Sequence, residues 1–480
     1  MNKREAGKGF AWNVASSFLA KLLLPIVFGI AITRILGPEQ VGAVAGIFAL
    51  ATVLDSIRDM GLYATFVTDT QSDARKDARY FGLSIMFVAA FSVGMIVLSP
   101  RLAGLLRLEG FDWAFALAGV SAFFAGAGSL PGGKLHREAR FQELAVWDVL
   151  TQLLNGVVTL GFAIAGFGGW SPLLGSLARN AAMSVATIRL ARPTYALPTA
   201  EFLRSIVSRS TAFLANGVLY MLYTTADKML ALVWFGKANS GFYSVAYGVG
   251  QRPVDLLAGP MARTVVVAFS RAKEDESRFR DLFYRSISAA LMVAAPLYAT
   301  LAVYATDIVT FLYGRTFEKS GVLLTVLCTF FFSRVVGMIA SNLLNGIGKP
   351  GWSNYGWGLG FGAVGVSWAM GWMQTDIVSF AVTVSVGAAC AYLTSFAIVL
   401  VRFRPDRGQV SRVARVLSAG AATGLVVLSG RMVPAPGVVQ LFVGLCLAGP
   451  FHIALLSRLF LGSWPLGLSK QGVRYLYRSL

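Results

Sequence analysis

Charge is scarce in this chain and one-sided. Only 14% of its 480 residues are charged, with 42 Lys and Arg against 23 Asp and Glu; soluble domains carry about 25%. Histidine occurs twice, as His136 and His452, and cysteine three times, as Cys328, Cys390 and Cys446. Three scattered cysteines make no disulfide framework, and two distant histidines make no metal spacing. No CxxC, HExxH, GxSxG or P-loop occurs, so no catalytic constellation, metal cofactor or nucleotide site is expected. Long hydrophilic segments are missing too. The longest run over 190–209, 269–285 and 401–412, which excludes a large soluble domain.

What the chain has is apolar length. It is 56% hydrophobic, with a mean hydropathy of +0.65. About fourteen stretches are long enough to cross a bilayer at roughly 20 residues per helix. They lie near 10–34, 41–66, 80–99, 112–131, 145–166, 171–189, 210–235, 241–268, 286–306, 320–346, 353–372, 377–400, 413–430 and 438–460. The runs are continuous, as from Ile377 to Ala397, and do not alternate with period two as a membrane barrel requires. In lipid the backbone must bond to itself, so they are helices. Turn signals separate them, such as Leu36-Gly37-Pro38 and Gly348-Lys349-Pro350-Gly351. The basic start Met1-Asn2-Lys3-Arg4 precedes an apolar run too long for a cleaved signal and reads as part of an uncleaved first helix. The expected fold is an all-α integral membrane protein of about 14 transmembrane helices.

The cations then sort by side. With the N-terminus inside, 28 fall at the inner connections and 7 at the outer ones. This asymmetry sets the orientation, with both termini cytoplasmic. It also accounts for most of the net charge of +19, which would otherwise suggest nucleic acid. Inner-loop cations also attract anionic headgroups.

The two halves share a pattern. Leu36 to Gly42 matches Phe235 to Gly241 at an offset of 199, each a Gly-x4-Gly outer turn between a first and a second helix. An acid and an arginine three residues apart follow in each half, Asp55 with Arg58 and Arg252 with Asp255. Gly133-Lys134 and Gly348-Lys349 each follow the fourth helix. An even number of helices per repeat gives both halves one topology, with a substrate path between them.

These residues carry a family resemblance. Thr33 to Gly42 resembles the R-x-LGPxxYG signature of polysaccharide-transporter flippases, with Val41 in place of Tyr. Asp59-Met60-Gly61-Leu62 resembles its D-x-GL, and Arg137 to Phe141 its R-x-x-R-F inner loop. Asp227 with Gly241 to Ala246 resembles its D…G-x-Y-x-x-A helices. The family is the Wzx-like oligosaccharide flippase branch of the multidrug/oligosaccharidyl-lipid/polysaccharide (MOP) exporter superfamily. The resemblance implies two pseudo-symmetric six-helix lobes around a central cavity, 1–200 and 201–400. It places two extra helices and a cytoplasmic tail in 401–480. It implies sugars on polyprenyl pyrophosphate as substrate, moved from the inner to the outer leaflet.

Seven cations remain inside the apolar stretches: Lys21, Arg58, Arg179, Lys228, Arg252, Arg263 and Arg334. The acids there are Asp55, Asp59, Asp148, Asp227 and Asp255. A lipid pyrophosphate needs cations in a low-dielectric path, and arginine offers a bidentate fork. Lys21, Arg58, Arg179, Arg252 and Arg334 are therefore the candidate cationic cavity. Asp55, Asp59, Asp227 and Asp255 are the candidate coupling or ion-pair acids. The competing reading is that these charges only lock helices together, since the (i, i+3) spacing of Asp55–Arg58 and Arg252–Asp255 puts each pair on one face. Arg263, Lys228 and Asp148 lie near helix ends, where snorkelling is an alternative. Asp227 and Lys228 diverge by about 100° on a helix. Asn13, Asn216, Tyr220, Tyr223 and Gln251 could bond sugar hydroxyls or merely pack. Pro25 with Gly29, and Pro253 with Pro260, interrupt the first and eighth helices and are candidate hinges for alternating access.

The expected function is a non-enzymatic flippase in a bacterial inner membrane, driven by H+ or Na+ or by downhill movement. Its expected partners are lipid-linked oligosaccharide, membrane lipids, and polysaccharide polymerase and assembly proteins. The alternative is a cation-coupled multidrug exporter of the same superfamily. A membrane polymerase or ligase would need a large outer loop, whereas the longest here, near 99–111 and 307–319, are about 13 residues. The charge asymmetry makes a topological prediction. A phosphatase reporter active only outside the membrane should work when fused after Arg107 and fail after Arg140. The reverse pattern would overturn the orientation.

Overall fold

The computed structural model describes residue 19 and residues 23–59, 62–68, 73–138, 140–271, 276–346, 352–432 and 437–459. Lys21 and Asn13 lie outside them, as do the side chains of Asp59, Asn216, Tyr220, Tyr223 and Arg263. Every long element among the described residues is helical. Nine of the helices are long and apolar enough to cross a membrane by length and composition. The chain forms two compact units, Met1–Ser244 and Val245–Leu480.

Unit 1 contains α1 (Leu24–Asp59), α2 (Leu62–Thr68), α3 (Ala74–Leu105), α4 (Ala114–Arg137), α5 (Phe141–Ile164), α6 (Trp170–Ala191) and most of α7 (Ala200–Arg271). Helix α4 packs against α3 and α6, and α5 lies against α6 and α1. Ile47, Met95, Phe115, Leu173 and Leu232 meet in its core.

Two helices of this unit are broken, each at a glycine. In α1 the backbone leaves helical geometry at Gly37 (φ 72°, ψ 173°), and in α7 at Gly236 (φ 80°, ψ 174°). The two breaks share one conformation, which side chains with a Cβ rarely adopt. Pro38 then restarts its helix where its missing N–H has no intrahelical role. The second glycine of each turn serves a contact. A Cβ on Gly42 would overlap the Lys237 carbonyl, and one on Gly241 would overlap the Pro38 carbonyl. The repeated turns therefore cross each other reciprocally at backbone distance. The breaks fall at these glycines and not at Pro25 or Pro253.

The R-x-x-R-F segment ties helix ends together. Arg137 pairs with Asp77 at 3.1 Å and lies 4.7 Å above the Phe66 ring. Arg140 grips Glu143 at 2.7 Å and donates to the Leu190 carbonyl at 3.0 Å. Lys134 donates to the Ala191 carbonyl at 3.0 Å. Cations on the last carbonyls of α6 complement its negative end.

Unit 2 holds the rest of α7, then α8 (Glu276–Val303), α9 (Ala305–Tyr313), α10 (Lys319–Gly346), α11 (Ser353–Ala369), α12 (Ile377–Arg402), α13 (Arg407–Ser429) and α14 (Gly437–Leu459). Its packing repeats an order seen in unit 1. The pairs α3–α4, α4–α6 and α5–α6 recur as α8–α10, α10–α12 and α11–α12. Glycines bring these helices close: Gly337 sits on Tyr392, Gly356 on the Ala391 carbonyl and Gly360 on the Gly387 carbonyl. Helices α13 and α14 are fastened to α8 and its flanks at three levels. Arg412 lies 3.6 Å from Asp281. The His452 ring joins Thr423, at 2.7 Å, to the Met292 carbonyl, at 2.9 Å. Arg431 reaches Asp307 and the Val303 carbonyl.

Adding a methyl group at the turn crossing should destabilise the protein by about 1–3 kcal/mol, as overpacking does. Gly42→Ala and Gly241→Ala are each expected to lower the melting midpoint of the purified protein. Gly29→Ala, where a Cβ meets open space, should leave it unchanged. Equal midpoints in all three would refute the close crossing.

Candidate functional site

The charged groups within the apolar helices fall into one cluster set in each unit. In unit 1, α1 carries Asp55 and Arg58 on one face, and Arg58 Nη1 meets Asp55 Oδ1 at 2.9 Å. The same nitrogen donates to the Ala122 carbonyl of α4 at 3.2 Å. Arg58 is 11% accessible and Asp55 40%. Arg58 Nε is buried with no hydrogen-bond partner among the described residues. A buried orphan donor is unfavourable, so this guanidinium has bonding capacity left for an anionic oxygen.

The second pair in unit 1 joins two helices. Arg179 of α6 meets Asp148 of α5 at 3.1 Å, with 40% and 28% of the side chains accessible. The next residue, Asn180, donates to Ser121 of α4 at 2.9 Å. Asp148 therefore acts as the partner of Arg179 and is not left to snorkel. Helix α7 contributes Asp227, which is buried and accepts a 2.8 Å bond from the Tyr243 hydroxyl. That bond spans the Gly236 break and so braces the two arms of α7 against each other. Lys228, next in sequence, is half-buried.

In unit 2 the cation meets an amide and a phenol. Arg334 of α10 donates to Gln251 Oε1 at 2.9 Å and to the Tyr247 hydroxyl at 3.3 Å. Gln251 Nε2 then donates to Asp255 Oδ1 at 2.6 Å. The amide relays charge from arginine to acid. The expected (i, i+3) pair of Arg252 and Asp255 is replaced by this (i, i+4) bond, because residues four apart stack one above the other on a helix. Arg252 is half-buried and Asp255 exposed.

The structure thus pairs Asp55 with Arg58, and it gives Arg179, Arg334, Asp227 and Asp255 specific partners. Sequence reasoning missed Tyr247 and the bridging role of Gln251. Their signal was present: Tyr247, Gln251 and Asp255 recur every fourth residue along α7, a polar stripe in an apolar helix. Among the described residues no group of His, Cys, Asp and Glu could hold a metal ion.

A family model described as polysaccharide biosynthesis protein matches residues 31–321. The chain is 23% identical over 321 residues to the succinoglycan biosynthesis transport protein ExoT of Rhizobium meliloti (strain 1021), covering 65% of this chain and 64% of that one. It therefore spans less than two thirds of that relative's length. It is 20% identical over 346 residues to the lipopolysaccharide biosynthesis protein WzxC of Escherichia coli (strain K12), covering 70% and 69%. Among solved structures, the lipid II flippase MurJ in an inward closed conformation superposes with a TM-score of 0.74 at 13% identity, over 94% of this chain and 99% of that one. An inward-facing multidrug resistance MATE family transporter of the MOP superfamily gives 0.63 at 14%, over 82% and 98%. At these identities the structures establish the fold, and the family match establishes kinship. The chain belongs to the polysaccharide biosynthesis protein family, and it shares its fold with the lipid II flippase and the MATE family transporter.

Proposed function

We propose that this protein is a flippase that carries a polyprenyl-pyrophosphate-linked oligosaccharide from the inner to the outer leaflet by alternating access, for export of surface polysaccharide. One observation carries the reading. Guanidinium groups stand inside the apolar helices on partners that can be exchanged: Arg58 on Asp55, Arg179 on Asp148, Arg334 on Gln251 and Tyr247. A charge at this depth costs about 3 kcal/mol or more unless partnered. Phosphate oxygens make stronger bonds to a guanidinium than an amide or phenol does. A pyrophosphate head can therefore take Arg334 from its amide and phenol, and it competes for Arg58 and Arg179 with the carboxylates, which reclaim them afterwards. Arg252 belongs to the same proposed set of cations, and Lys21, the remaining candidate, lies outside the described residues.

The reading takes fourteen spans, with α1 and α7 each counted as two helices divided at their glycine and the short α2 and α9 set aside. The recurring packing order supports two pseudo-symmetric six-helix lobes, 1–200 and 201–400, with α13, α14 and the tail in 401–480. The repeat boundary lies near 200 although the first arm of α7 packs within unit 1 through Phe202, Ile206 and Leu232. Both termini are assigned to the cytoplasm by the cation asymmetry. Polymerase and assembly proteins would act on the delivered glycan.

Coupling to H+ or Na+ falls to Asp55, Asp59, Asp227 and Asp255. A cation-coupled multidrug exporter shares the fold. Its cationic substrates would call for an excess of membrane acids, whereas seven cations face five acids here.

In proteoliposomes, the wild type should flip a fluorescent polyprenyl-pyrophosphate sugar, and Arg179→Ala and Arg334→Ala should lose at least tenfold in rate while remaining folded. Extrusion of a cationic dye without lipid movement would favour the exporter instead. Asp255→Asn removes the charge at the end of the Gln251 relay. If Asp255 couples transport, the variant should lose its dependence on an imposed proton or sodium gradient. An unaltered gradient dependence would remove Asp255 from coupling.

A further inference from the structure

Helix α12 in unit 2 is gripped by α10 and α11 on two sides, at the glycine contacts described above. Between them one face of α12 stays uncovered and forms the floor of a groove of about 850 Å³. That volume falls within the range of ligand pockets, about 300–1,000 Å³. Val326 and Thr329 of α10 form one wall, Leu359 and Ala363 of α11 the other, and Val386 and Cys390 lie on the floor. No charged side chain lines it. This is not a necessary result of the packing. The matching triplet in unit 1, α4–α5–α6, carries the Arg179–Asp148 and Asn180–Ser121 links instead.

The floor extends from Val382 to Ala397, about 22 Å at 1.5 Å per residue. One leaflet of the hydrocarbon core is about 15 Å deep, so a whole acyl chain can lie lengthwise. Hydrocarbon is what surrounds a helix at this depth.

The two ends of α12 differ in charge. Its C-terminal end presents Arg402, Arg404 and Arg407, all exposed. The acid among them, Asp406, is committed to the capping box of α13 through Gln409. At the N-terminal end Asp376 accepts from the backbone N–H groups of Val378 and Ser379, and these bonds, that from Ser379 foremost, hold its carboxyl below the usual range. An anionic headgroup is attracted to the arginine end and repelled at the other.

We propose that the groove on α12 binds one acyl chain of an anionic phospholipid, with the lipid phosphate held by Arg402 and Arg404. The ligand is a resident lipid of the cytoplasmic leaflet, separate from the transported one, so the site does not depend on the transport reading.

Cys390 reports on the groove directly. Cys328 is buried and Cys446 exposed, so Cys446→Ser leaves Cys390 as the accessible thiol. In the purified full-length Cys446→Ser protein, phosphatidylglycerol should slow N-ethylmaleimide modification of Cys390 at least threefold, and phosphatidylcholine should not. Arg402→Gln with Arg404→Gln should abolish that protection without changing the rate measured in detergent alone. Equal protection by both phospholipids, or by neither, overturns the proposal. Protection by polyprenyl phosphate but not by phosphatidylglycerol also overturns it, and assigns the groove to the transported lipid.

Discussion

Hydrocarbon offers a polypeptide no hydrogen-bond partner, and the rest of this structure follows from that. Each peptide group in the membrane must be satisfied within its own helix, which leaves little room for any other element. A break in a helix is tolerated only at its end or where the freed groups find partners. The breaks in α1 and α7 therefore fall at turns, where glycine alone accepts the required φ. The same constraint governs charge: a guanidinium in an apolar helix persists only beside a group that shares its proton or its field. Arg58, Arg179 and Arg334 all have such a neighbour.

The nature of the neighbour differs from one arginine to the next. Arg58 and Arg179 in unit 1 meet carboxylates, and Arg334 in unit 2 meets an amide and a phenol, the amide in turn bonded to Asp255. Neutral acceptors hold a cation more loosely than a carboxylate does.

The crossing of the two glycine turns links this chemistry to the frame. Gly42 and Gly241 let the Lys237 and Pro38 carbonyls approach within backbone distance. Asp227 and Tyr243 brace the same break in α7 from inside. At the other end of α4 and α6, Arg137 pairs with Asp77, and Arg140 and Lys134 donate to the last carbonyls of α6. The family signatures thus serve the scaffold: LGP and its repeat make the crossing, and R-x-x-R-F makes the ties.

Local order was legible in the amino-acid sequence. Apolar runs place the helices, Gly-x4-Gly marks both turns, and (i, i+3) spacing places Asp55 beside Arg58. Each of these depends on neighbours within a turn or two, so residue type and spacing determine it. Contacts between helices were not legible. Nothing in the spacing of Asp148 and Arg179, 31 residues apart, says that α5 and α6 bring them to 3.1 Å. Nor does local spacing reveal that Gln251 takes Asp255 from Arg252, since that choice depends on Arg334 arriving from α10. The groove on α12 exists because two other helices grip it at glycines and leave a face bare. Sequence determines what a helix can bury; which helix arrives to share that burial is decided by packing, where shape and partner are set by residues far apart in the chain.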